Sequence, residues 1–189
     1  SAFNVDDDSN GDAVDYGSTD VPLVAVDERT GGGAIVGFGA ELVSDDANFQ
    51  SGNEEFLLNV WDAYLGGSGT VLYDEGHDQY DTLTTFSNMA NYAETQASYA
   101  VSATSTLADD LSTADAVWIT SPSTAFTASE QSALKDFVDN GGVAFVHDTA
   151  DYSNFDETGN LNDLAAGLDL AFRFNDDQVL DTESNTNGT

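Results

Sequence analysis

The 189 residues carry 35 Asp and Glu against three Lys and Arg, a formal charge of −32. At 40% hydrophobic and 11% aromatic the chain can build a core, and its length suits one domain, which excludes a purely disordered acidic polymer. The lack of Cys excludes disulfides, thiolate metal sites and a cysteine nucleophile, and no apolar run approaches the roughly 18 residues of a membrane span.

The acids are spread from Asp6-Asp7-Asp8 to Asp176-Asp177 and Glu183, while the cations are Arg29, Lys135 and Arg173. Such a surface repels itself in dilute buffer. At molar salt the Debye length falls to about 3 Å and the repulsion is screened. The loss of Lys together with the preference for Asp resembles proteins of salt-accumulating archaea. The acids form no single block, which argues against a mimic of nucleic acid, and no basic patch exists to bind nucleic acid directly.

The chain starts at Ser1 without Met or a signal peptide, so a processed form or a fragment is expected. Residues 1–20 read as an acidic N-terminal arm. Within it Asp6, Asp8, Asn10 and Asp12, with Gly11 at the turn, match the opening of a calcium loop. The twelfth position is Gly17 rather than a bidentate Glu, which excludes a full EF-hand; a solvated acidic arm is the other reading. Residues 21–180 read as one α/β domain and 181–189 as a polar tail, in which Asn187-Gly188-Thr189 forms a glycosylation sequon.

Val21–Val26 predicts a strand, Thr30–Gly33 a turn and Ala34–Gly39 a second strand, together a hairpin. Ser51-Gly52-Asn53-Glu54 has capping-box spacing and predicts a helix with Phe56, Leu57, Val60, Trp61, Tyr64 and Leu65 inward, stopped by Gly66-Gly67. From Gly69 strands and helices alternate. Thr70–Tyr73 predicts a first strand, followed by a helix through Leu83, Phe86, Met89, Ala90 and Ala93. Tyr99–Val101 and Ala116–Ile119 predict the second and third strands. Thr127-Ala128-Ser129-Glu130 is another capping box, opening a helix that Asn140-Gly141-Gly142 ends. Val143–Val146 predicts a fourth strand, Leu161, Leu164, Ala165 and Leu168 a last helix, and Leu170–Phe172 a fifth strand. This alternation predicts a mostly parallel sheet covered on both faces.

Ligands of such sheets sit beyond the carboxyl ends of the strands. Three predicted loops there hold polar groups: Asp74–Tyr80, Thr120–Ser123 and His147–Tyr152. Both histidines fall in these loops. In a 2-1-3-4-5 order the first and fourth strands lie about 10 Å apart, so His77 and His147 would share a cleft. One reading is a divalent metal site of His77, His147, Asp74 and Asp151, suited to zinc or manganese. A second has His147 as general base, oriented by Asp148 or Glu75. A third has the histidines capping strands and bonding to backbone. Ser121 lacks the Gly-x-Ser-x-Gly elbow, which argues against a serine hydrolase.

The runs Thr70–His77 (TVLYDEGH), Ala116–Ser123 (AVWITSPS) and Phe126–Asp148 (FTASEQSALKDFVDNGGVAFVHD) resemble the class I glutamine-amidotransferase-like superfamily. The nearer branch is that of the trehalose-utilisation-like and the gliding-motility or intraflagellar-transport-like domains. The resemblance covers about residues 69–175. It implies a flavodoxin-like three-layer α/β sandwich. The superfamily's nucleophilic Cys would fall near residue 147, where this chain reads Val146-His147-Asp148, so glutaminase chemistry is excluded. Residues 21–65 resemble the segment that closes such domains, yet they precede the first strand of the series. Either the fold is circularly permuted or this hairpin and helix extend the sheet from their own side. The whole chain also resembles haloarchaeal surface or secreted proteins. The function expected is a non-catalytic binding or assembly domain outside the cell, with a protein, a glycan or further copies of itself as partner. The alternative is a metal-dependent hydrolase.

Overall fold

The computed structural model describes residues 2–5, 22–44, 49, 52–149, 157–175 and 178–181. The strands are β1 (Ala2–Val5), β2 (Val24–Glu28), β3 (Ala34–Phe38), β4 (Ser68–Asp74), β5 (Ser98–Thr104), β6 (Ala116–Thr120), β7 (Val143–His147) and β8 (Gln178–Asp181). The helices are α1 (Asn53–Leu65), α2 (Ser87–Gln96), α3 (Leu107–Asp110), α4 (Ala128–Asp139) and α5 (Glu157–Gly167), with a 3-10 turn at Leu111–Thr113. β1 and β8 pair antiparallel in a ribbon of their own. The other strands form one sheet in the order β2-β3-β7-β6-β4-β5, parallel throughout except for β2, which pairs antiparallel with β3.

β3, β6 and β7 are buried along their whole length, as expected for strands covered on both faces. Side chains alternate between two cores. Val36, Phe38, Val71, Tyr73, Trp118 and Phe145 pack with Leu57 and Trp61 of α1 and Met89 and Ala93 of α2. Ile35, Leu72, Val117, Ile119, Ala144 and Val146 pack with Leu107, with Leu134 of α4 and with Leu161 of α5. The fold is therefore a flavodoxin-like α/β sandwich, with α1 and α2 on one face and α3, α4 and α5 on the other.

Counting β4, β5, β6 and β7 as the first four strands of the series, their spatial order is 2-1-3-4, and β3 lies parallel beside the fourth. The strand that completes the 2-1-3-4-5 order thus precedes the others in sequence, and β2 extends the sheet beyond it. The expected fifth strand at Leu170–Phe172 is not a strand. Its backbone is held by side chains instead of a ladder: Arg173 Nη1 donates to the carbonyls of Leu170 and Phe172, and Asn162 bonds both Phe174 N and Phe174 O. Phe172 and Phe174 lie across Gly37 of β3, where a Cβ would meet the Phe172 ring at 2.7 Å.

Two further expectations change. Gly52, in the left-handed region at φ 88°, takes the N-cap of α1 without a side-chain cap bond, and Ser51 lies outside the described residues. The buried face of α1 is Leu57, Leu58 and Trp61, while Phe56 is 45% exposed and meets Phe38 edge-on. The box at Thr127 forms as expected: Thr127 Oγ1 accepts from Glu130 N and Glu130 Oε2 accepts from Thr127 N. No helix among the described residues is long and apolar enough to cross a membrane.

Candidate functional site

The buried polar residues gather at the carboxyl ends of the parallel strands. β4 ends at Asp74, β6 at Thr120 and Ser121, β7 at His147 and Asp148, and α5 brings Glu157 and Thr158 to the same rim; all are buried. The backbone just past these strands still bonds across the sheet, Glu75 N to Thr104 O, Ser121 N to His147 O and Asp148 N to Phe38 O, so several of the rim side chains bond one another.

His77 and His147 do not share a cleft. His77 stacks on Phe126 with ring centroids 3.7 Å apart, within the core on the α3–α5 face. His147 stacks on Phe38 at 4.2 Å, within the core on the α1–α2 face. β6 lies between β4 and β7, His147 turns to one face at the end of β7, and the loop after β4 carries His77 to the other.

His77 belongs to a closed loop built on Asp74. The Asp74 carboxylate is fully buried and accepts from Gly76 N at 3.0 Å, from His77 Nδ1 at 2.6 Å and from Gln79 Nε2. The other ring nitrogen, Nε2, lies 3.6 Å from Glu130 Oε1. Burial pulls the His77 pKa down, but the hydrogen bond and charge of Asp74 and the charge of Glu130 outweigh it, so the net shift is upward. Glu130 is held below its ordinary value, first by its hydrogen bonds from Thr127.

His147 is 1% exposed and has no carboxylate partner among the described residues. Its Nδ1–H donates to the Ala40 carbonyl at 3.2 Å, so the neutral ring that burial favours has its lone pair on Nε2. Nε2 is buried without a hydrogen-bond partner among the described residues. Burial lowers the pKa to about 4. The residues expected to orient it are engaged elsewhere. Asp148 accepts from Thr158 Oγ1, and Glu75 accepts from Leu83 N at 2.9 Å. Asp151 and the calcium-type set Asp6, Asp8, Asn10 and Asp12 lie outside the described residues, as does Asn187. Among the described residues no group of three or more His, Asp or Glu side chains is placed to hold a metal ion.

The sequence reading missed Glu41. It sits in the loop after β3, beyond the strand that completes the sheet, and accepts from Ser121 Oγ at 3.1 Å. Burial, and next the neighbouring Asp81 carboxyl, push its pKa up to about 8, so it is protonated at neutral pH. Ser121 Oγ also lies 3.2 Å from Thr149 Oγ1. Beside this group Tyr73 donates its hydroxyl proton to Asp81 O at 2.7 Å and accepts from Thr120 Oγ1 at 2.6 Å. Burial raises the Tyr73 pKa far above the ordinary value. The signal that could have found Glu41 was its place just after a strand ending in Phe38-Gly39, had that strand been read as part of the parallel series. Ser121 meets a carboxyl group and a hydroxyl, and His147 turns its Nδ1 to a backbone carbonyl; no serine–histidine pair results.

No family model matches this chain, and no curated protein matches it. Solved structures do. IMPa metallopeptidase from Pseudomonas aeruginosa aligns with a TM-score of 0.54 at 15% identity, over 83% of this chain and 16% of that one. IMPa in complex with T-antigen aligns with the same score and identity over 77% and 16%. IMPa from Pseudomonas aeruginosa in complex with an O-glycopeptide aligns over 84% and 17%, again at 15% identity and a TM-score of 0.54. The likeness is one of fold, and this chain spans about one sixth of the length of those chains.

Proposed function

We propose that this chain is a non-catalytic binding or assembly domain, working in molar salt outside the cell as one module of a haloarchaeal surface or secreted protein. The observation that carries this reading is the state of the carboxyl rim. Where this fold places ligands and reacting groups, most described polar side chains bond one another or nearby backbone, His147 Nε2 excepted, and the two imidazoles pack into different cores. Kinship with the class I glutamine-amidotransferase-like superfamily belongs to the same proposal and rests on the motifs at Thr70–His77, Ala116–Ser123 and Phe126–Asp148.

A module is also what the structural neighbours suggest, since the fold fills about one sixth of a longer chain there. Those neighbours have been solved with T-antigen and with an O-glycopeptide, which supports a saccharide-bearing partner over a nucleic acid. A metal-dependent hydrolase draws on the metallopeptidase name of the same neighbours, but it needs His77 and His147 to close on one ion. Metal analysis of protein purified in molar KCl separates the two. The expected result is no transition metal whose retention depends on the histidines. Stoichiometric zinc or manganese that disappears in a His77→Ala/His147→Ala double variant would establish the hydrolase instead.

A further inference from the structure

A cavity lies away from the polar rim. An open pocket of about 710 Å³ sits at the amino ends of the parallel strands, between the end of α1, the 3-10 turn and the last turns of α4. Its volume falls in the roughly 300–1,000 Å³ range of small-ligand sites. Tyr64 and Phe137 supply rings, and Asp115, Asp136, Asn140 and Ser112 supply polar groups.

Several of these groups are held in place. Phe137 lies directly against Gly142, where a Cβ would meet the ring at 2.4 Å, so the ring is a fixed wall. Gly141, at φ 107°, holds a backbone conformation that other residues rarely adopt. Asp115 Oδ2 accepts from Thr70 N at 2.8 Å, and Asn140 Nδ2 donates to Asp136 O at 2.7 Å. The Asn140-Gly141-Gly142 sequence that stops α4 therefore also lines the pocket with bare backbone.

The lining selects among ligands by chemistry. No Lys or Arg is among the residues that line it, so an anion has no counter-charge. A wholly apolar ligand would strip water from two carboxylates without replacing its hydrogen bonds. A cationic peptide would find the same carboxylates over the rest of a chain of charge −32, and at molar salt that attraction reaches only about 3 Å. A neutral sugar uses both kinds of wall: its C–H face packs on an aromatic ring, and its hydroxyls donate to carboxylate and amide oxygens. None of those contacts depends on net charge. We propose that this pocket binds a neutral oligosaccharide. The inference rests on the binding-module reading and gives that module its site and ligand class.

The test is an NMR titration of the ¹⁵N-labelled full chain in molar KCl with neutral di- and trisaccharides of glucose, galactose, mannose and N-acetylhexosamines. The expected result is saturable shifts at Ser112, Gly141 and Gly142, little changed when the salt is doubled. Tyr64→Ala and Asp136→Asn, with spectra otherwise intact, should each weaken binding about tenfold, the loss of one ring or hydrogen-bond contact. Shifts at the carboxyl rim, wild-type affinity in both variants, or displacement of the sugar by an oligolysine peptide would overturn the proposal. So would failure of every sugar to bind. That last outcome leaves the binding-module reading standing, because the histidine-dependent metal analysis decides it separately.

Discussion

At the scale of single residues, two perturbed groups of the rim, His147 and Glu41, pull stability in opposite directions with pH. His147 has a folded pKa of about 4 against an ordinary 6.5. Between those values the unfolded chain takes a proton that the folded chain refuses, so the contribution of His147 is lost as pH falls through that window. Thermal unfolding in molar KCl should show a melting temperature that declines from pH 6.5 toward 4, and His147→Gln should flatten the decline; an unchanged slope would mean that the ring is not buried neutral. Glu41 runs the other way. Its folded pKa is about 8 against 4.5, so the folded chain holds a proton that the unfolded chain has released, and stability falls as pH rises through that interval. Glu41→Gln keeps an acceptor for Ser121 and removes the ionisation. Its melting temperature should exceed the parent's by a margin that grows from pH 4.5 to 8, and a margin independent of pH would refute the assignment. The sequence named His147 and passed over Glu41. A histidine at a strand end is visible in any chain, whereas one Glu among 35 acids becomes distinctive only when burial and Asp81 raise its pKa.

At the scale of elements, local signals succeeded where the backbone was governed by its own side chains. Thr127 and Glu130 close the capping box that their spacing predicts, and Thr127→Ala should cost about 1 kcal/mol in chemical denaturation. The β2–β3 hairpin forms around Gly31–Gly33, where the turn docks on the end of α4 so closely that a Cβ on Gly33 would meet Val138 O at 2.0 Å. Local signals failed at 170–174. Leu170-Ala171-Phe172 has a strand's apolar character, but the place beside β7 was taken by β3, and the segment became a cover for Gly37. Gly37→Ala tests that packing. Overfilling a close contact of this kind costs about 1–3 kcal/mol, and a melting temperature equal to the parent's would show that Phe172 and Phe174 are free to move aside.

At the scale of the molecule, the charge decides where cations survive. Arg29 Nη2 donates to Leu168 O, and its Nε lies 2.8 Å from Asp27. Lys135 Nζ donates to Asp139 at 2.8 Å and lies 3.7 Å from Asp169. Arg173 holds the carbonyls of Leu170 and Phe172. All three cations of the chain thus sit around the ends of α4 and α5, bonding carbonyls and acids that a neutral group would serve less well. The chain still carries a formal charge of −32. Circular dichroism should therefore show the fold lost as KCl is diluted below about molar, because the Debye length lengthens several-fold; an intact spectrum in dilute buffer would refute a salt-dependent fold.

The sequence by itself determined the alternation of strands and helices, the hairpin, the cap of α4 and the strong negative charge, because each follows from spacing or composition. Only the tertiary structure decided that β3 completes the parallel series, that 170–174 lies outside it, that the two histidines face opposite cores and that Glu41 carries a raised pKa. Those outcomes depend on which distant segment wins a place beside β7 and on which face of the pleat each strand-end side chain takes. Neither is written in any local run of residues.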